Sequence, residues 1–145
     1  MFKACIAVVD AARARLFTFE RESVVEGLRE RFVEVTDLVN PRRGIDVHRA
    51  AHLVELDATF ARDVVGELAG LLRSSGSSRL IVCASPRMLG VLRKALEALP
   101  TEHLAIDELA RDLSKLKTPH IREHLIDYEL LPSTPPWRTA AQPHP

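Results

Sequence analysis

The segment Arg79-Leu-Ile-Val-Cys-Ala-Ser-Pro-Arg-Met-Leu-Gly-Val-Leu-Arg93 constrains the fold more than any other part of the chain. Leu80 to Ala84 is a short apolar run, the pattern of a central strand covered on both faces. Ser85 suits a helix N-cap, and Pro86 suits the first helical position, where a backbone N–H has no helical partner anyway. Leu89, Leu92, Leu96 and Leu99 then recur at three- and four-residue steps and give the helix one apolar stripe. A strand that feeds a helix this abruptly belongs to an α/β sheet. It also sets a helix N-terminus, with Arg87 beside it, at the carboxyl end of a strand, where such sheets hold ligands.

The rest of the chain fits around that unit. Phe2 to Val9 reads as a first strand, Asp10-Ala11-Ala12 as a tight connection and Arg13 to Glu20 as a second strand. Glu22 to Gly27 reads as a polar turn and Leu28 to Val39 as a third strand, completing an antiparallel meander. Asn40-Pro-Arg-Arg-Gly44 opens a polar loop that runs to about Arg49. From about Ala51 to Ser74 the period is helical, with Leu53, Leu56, Phe60, Val64, Leu68 and Leu71 on one stripe. Glu55, Asp57 and Asp63 read as its solvated side. Ser74 to Ser78 ends this helix, and Pro100 ends the next. Leu104 to Ile106 predicts a fifth strand, and Thr118, as cap, starts a last helix that runs from Pro119 to about Tyr128.

Pro132, Pro135, Pro136, Pro143 and Pro145 then exclude regular structure. The expected organisation is an α/β domain over residues 1–131 and a Pro-rich tail over 132–145. The order β-β-β-α-β-α-β-α, a meander followed by right-handed parallel crossovers, matches the ribonuclease-H-like mixed sheet.

Bulk properties exclude some function classes. Twenty basic residues balance twenty acidic ones, so no global field steers the chain to nucleic acid or an anionic membrane. No apolar run approaches the roughly 20 residues that span a bilayer. The apolar stretch near Met1 is short and ends at Asp10 without a cleavage site, so it reads as a strand and not a leader. Cys5 and Cys83 fall in apolar strands, as buried free thiols in a cytoplasmic protein do.

The candidate chemistry is thin. A two-metal nuclease needs converging carboxylates, and only Asp10, at the end of the first strand, is well placed; Cys83 and Ala84 stand where a second acid would serve. His120-Ile-Arg-Glu-His124 puts two imidazoles on one helix face, as a zinc pair requires. Only the Pro-rich tail remains downstream to supply a third ligand, and His48 and His52 lack an accompanying Glu. These histidines read as solvated, with no metal or cofactor. Ser85 lacks the glycine-flanked elbow of a nucleophile. Gly90 reads as a close helix–sheet contact. The phosphate-binding candidates are Arg13 and Arg15, protruding near the first hairpin, Arg42, Arg43 and Arg49 in the loop, and Ser85 with Arg87 at the helix start.

Three segments together resemble the bacterial host attachment protein family: Val8 to Phe17, Arg79 to Leu96 with its Ser-Pro-Arg-Met-Leu-Gly core, and Ala110-Arg-Asp-Leu-Ser-Lys-Leu116 with His120 to Leu125. Phe60-Ala-Arg62 adds a fourth match, and the resemblance spans roughly residues 2–127. That family in turn is similar to the middle domain of eukaryotic and archaeal class 1 release factors. There, the loop before the long helix carries a Gly-Gly-Gln motif that enters the peptidyl transferase centre. The equivalent loop here, Asn40 to Arg49, has no Gly-Gly-Gln. The resemblance therefore implies a non-catalytic, cytoplasmic module that binds RNA or the ribosome. The alternative is a protein-interaction or regulatory factor that affects attachment indirectly. An RNA-processing hydrolase is disfavoured by the missing acids.

Overall fold

The computed structural model describes residues 1–41, 50–100 and 102–133, and side chains outside 50–56. Five strands form one sheet in the order β3-β2-β1-β4-β5. They are β1 (Phe2–Val9), β2 (Arg13–Val24), β3 (Gly27–Val39), β4 (Arg79–Cys83) and β5 (Ala105–Leu109). The helices are α1 (Ala50–Ser75), α2 (Pro86–Leu96) and α3 (Thr118–Asp127). β2 pairs antiparallel with both β1 and β3, while β1, β4 and β5 pair in parallel. This order, with β2 alone reversed, is the ribonuclease-H-like arrangement expected from the sequence.

β1 shows why its sequence is a continuous apolar run. Cys5, Ala7 and Val9 join the core under α1 and α2, and Ala4, Ile6 and Val8 join the core under α3. Alternate side chains point to opposite faces, and here both faces are covered. The first core is filled from α1 by Phe60, Ala61, Val64 and Leu68 and from α2 by Met88, Leu89 and Leu92. The second is filled by Phe17, Phe19, Ile81, Leu113, Ile121 and Leu125.

Several boundaries move from their expected places. β2 runs on to Val24, so the expected turn Glu22 to Gly27 shrinks to Val25 and Glu26. Gly27 takes φ 129°, a conformation open to glycine. The polar end of β2 is held by cross-strand pairs: Arg21 bonds Glu30, and Arg29 bonds Glu22. Such pairs stabilise strands whose residues look like loop. β5 starts one residue later than expected and continues to Leu109. At α3 the extended residue is Lys117, so Thr118 lies inside the helix and is not its cap. The Lys117 carbonyl accepts from His120 N and Ile121 N. Pro119 fits either of the first two helical positions, since neither N–H needs a helical partner there.

Two further expectations fail on burial. Asp57 is fully buried and not on a solvated side. Gly90 is exposed, and a Cβ built on it meets nothing within 4 Å, so close packing does not require it. Gly76, with φ 68°, ends α1 and donates its N–H to Leu72 O at 3.1 Å, as a left-handed C-terminal cap does.

Candidate functional site at the carboxyl edge of the sheet

β1, β3, β4 and β5 run in one direction, so their carboxyl ends share an edge with the start of β2. After β1 the chain turns back into β2, and after β4 it leaves through α2 toward β5. The crevice beyond β1 and β4 is therefore the point where the topology switches, the usual ligand position in α/β sheets. The turn Asp10–Ala12, Asn40, the start of α2 and the segment 110–117 meet there.

Asp10 organises this edge. Its Oδ1 accepts from Ala12 N and Arg13 N, both at 2.7 Å, and its Oδ2 accepts from Ser114 Oγ at 2.8 Å. Burial raises its pKa, but the bonds from Ser114, Ala12 and Arg13 and the charge of Lys115 outweigh it. The carboxyl is held below its ordinary range. Ser114 Oγ also lies 2.5 Å from Asp112 Oδ1, which accepts Ser114 N at 2.9 Å as well. A hydroxyl has one proton, so it donates to one carboxylate at a time. Asp10 is thus a turn residue whose carboxylate accepts backbone hydrogen bonds.

Asp112 is a second carboxylate near Asp10 that sequence reading missed. Its signal was the Asp112-Leu-Ser114 spacing, which suits a side-chain-to-backbone turn. Lys115, 80% exposed, stands 3.7 Å from Asp10 Oδ2 and was also missed. Among the described residues no group of three His, Cys, Asp or Glu is arranged to hold a metal ion. His120 and His124 are both exposed. His48, and the side chain of His52, lie outside the described residues.

The expected phosphate ligands fare differently. Arg15 does not protrude: it is 8% exposed, pairs with Glu34 at 2.6 Å and donates to the carbonyls of Ser114 and Leu116. Its hydrogen-bonding capacity is spent on tying β2 to the segment before α3. Arg13 is partly exposed and paired with Asp37 across β2 and β3. Ser85 caps α2, its Oγ accepting from Met88 N at 3.3 Å. Arg87 remains half exposed and sits 2.8 Å from the buried Asp57 carboxylate. Asp57 was legible after all, because it precedes Phe60 and Ala61 by three and four residues and so shares their stripe.

Arg42, Arg43 and Arg49 lie outside the described residues, but the start of their loop does not. Asn40 is buried, takes Ala12 O through its N–H at 2.8 Å and donates its side-chain amide to Ala11 O at 2.9 Å. The loop thus leaves from the first hairpin turn.

The family model described as "protein required for attachment to host cells" matches residues 35–125, more than half of the chain. The chain belongs to this family. The match runs from the end of β3 through α3, and the first hairpin lies outside it. No curated protein matches the sequence. Among solved structures, the Aquifex aeolicus Ppx/GppA phosphatase aligns with TM-score 0.49 and 12% identity over 75% of this chain and 36% of that one. Thermus thermophilus RuvC aligns with TM-score 0.41 and 12% identity over 74% and 62%. The chain spans under two thirds of either. Family membership adds an attachment-related role, and no helix among the described residues is long and apolar enough to cross a membrane.

Proposed function

We propose that this member of the attachment family is a non-catalytic, cytoplasmic RNA-binding module that acts at the translation apparatus, as the likeness to release factors implies. The observation that carries this reading is the anchoring of Asn40. It tethers the loop that contains Arg42, Arg43 and Arg49 to the edge where Lys115 stands in solvent and Ser85 opens α2. Lysine and arginine side chains suit phosphate contacts, which position a strand without reading its sequence, and Lys115 supplies one such cation at this edge. The hydrogen bonds that occupy Asp10 suit a structural role for it better than a catalytic one.

Replacing Arg42 and Arg43 with Glu should weaken co-sedimentation with ribosomes or binding to RNA, and should flatten the dependence on salt. A double variant that binds like wild type across several salt concentrations would remove the loop as contact surface. The second reading, a protein-interaction factor, is favoured by β3, an edge strand with Val35 and Val39 exposed. Wild-type protein that fails to bind RNA at low salt would point to that reading instead.

A further inference from the structure

α1 and α2 lie side by side on one face of the sheet, and the furrow between them opens into a cleft of about 450 Å³. Its apolar lining is Ala58, Gly90, Val91 and Ala95, and its charged lining is Arg62 from α1 with Arg87 and Lys94 from α2. Two features of this cleft are unexplained by packing. Glycine inside a helix is destabilising relative to alanine, yet a Cβ at Gly90 would meet nothing within 4 Å. The missing side chain serves no neighbour; it leaves the floor of the cleft open.

The second feature is Arg87. Asp57 keeps a wholly buried carboxylate 2.8 Å from its Nη2, while the Arg87 side chain stays 54% exposed. A carboxylate held out of water is costly to keep. Here it forms an ion pair with Arg87, whose half-exposed side chain lines the cleft. Lys94 follows Arg87 by seven residues, about 10 Å along the helix axis, and Arg62 stands on the α1 side, donating to Thr59 Oγ1 at 3.2 Å. Three cations thus line a small apolar floor, one of them paired with a buried acid.

We propose that this cleft binds a nucleoside phosphate. The phosphate oxygens would be taken by Arg62, Arg87 and Lys94, and the compact apolar body would lie on Gly90 and Val91. Guanidinium forks suit phosphate geometry, and the volume is that of small-molecule sites. The nucleotide has two sources, a free mononucleotide or an unpaired residue of an RNA strand. The inference is separate from the RNA contact proposed at the sheet edge.

Calorimetric titration of the full chain with adenosine 5′-monophosphate and with a short oligoadenylate tests it, with adenosine as the uncharged comparison. One of the two phosphorylated probes should bind, and adenosine should bind more weakly. Gly90→Leu should raise the melting temperature, because leucine favours helix over glycine, and should lose binding by about tenfold or more as it fills the floor. Arg62→Glu with Lys94→Glu should lose a similar factor with the fold intact. Tighter binding of the oligomer assigns the cleft to a strand, and equal binding assigns it to the free nucleotide. Absence of binding by both phosphorylated probes at low salt, or a Gly90→Leu variant that binds as wild type does, overturns the proposal. Oligomer binding that survives Gly90→Leu but falls with Arg42→Glu and Arg43→Glu removes the cleft and leaves the edge reading standing. The converse result does the opposite.

Discussion

Asp10, Arg15 and Asp57 are charged groups whose surroundings fix their roles. Asp10 closes the first hairpin through Ala12 N and Arg13 N and ties it to Ser114. Its pKa in the folded chain is lowered, the net result of burial opposed by those hydrogen bonds and by Lys115. The sign follows from linkage: a folded pKa below the unfolded one gives stability that is present above the unfolded value and lost as pH falls through the folded value. Asp10→Asn should therefore cost about 1–3 kcal/mol near neutral pH, and the gap to wild type should close in acid. Urea melts of both proteins across the acid branch check this; a gap of constant size would mean that the charge is not what matters. Glu30 belongs to the same class. Burial raises its pKa, and the bonds from Arg122 and Arg21 lower it further than burial raises it.

Each helix is specified by its ends and one stripe, and the two signals differ in how well they locate it. For α2 they agree: Ser85 caps it, Pro86 opens it, and Leu89, Leu92 and Leu96 are buried as expected. For α1 the stripe holds where the side chains are described, with Phe60, Val64 and Leu68 at 1% exposure or less. Leu53 and Leu56 lie outside the described side chains. Phe60 packs where α1 crosses the sheet, so Phe60→Ala should cost about 3–5 kcal/mol through lost burial and the cavity left behind. A thermal melt reads this, and an unchanged midpoint would place α1's buried face elsewhere. The strands were less legible. The far end of β2 carries Glu22 and Ser23, which read as turn until β3 supplies their partners. β5 carries Asp107 and Glu108, bonded to Arg79 and Arg93, so its apolar signal is short.

At the scale of the whole molecule, the chain's end can be cut in two informative places. Leu131 is 3% exposed, and Ser133 O accepts from Arg21 at 2.9 Å. Ending the chain after Ser133 should leave cooperative unfolding and its midpoint nearly unchanged, because the Pro-rich remainder is unsuited to a core. Ending it after Tyr128 should cost about 2–4 kcal/mol, from the lost burial of Leu131 and the Arg21 bond. Melting both truncations checks the expected boundary near residue 131, and a destabilised longer form would extend it. The sequence by itself determined the order of elements and the apolar stripes of α1 and α2, because apolar runs and three-to-four spacing are local consequences of burial. Only the tertiary structure decided which charges are free. Arg15 reaches carbonyls 99 and 101 residues away, Ser114 bonds Asp10 across 104 residues, and Arg87 meets Asp57 from another helix. A charge looks the same in sequence whether water or a partner satisfies it. Its partner is set by the packing of elements that sequence spacing does not bring together.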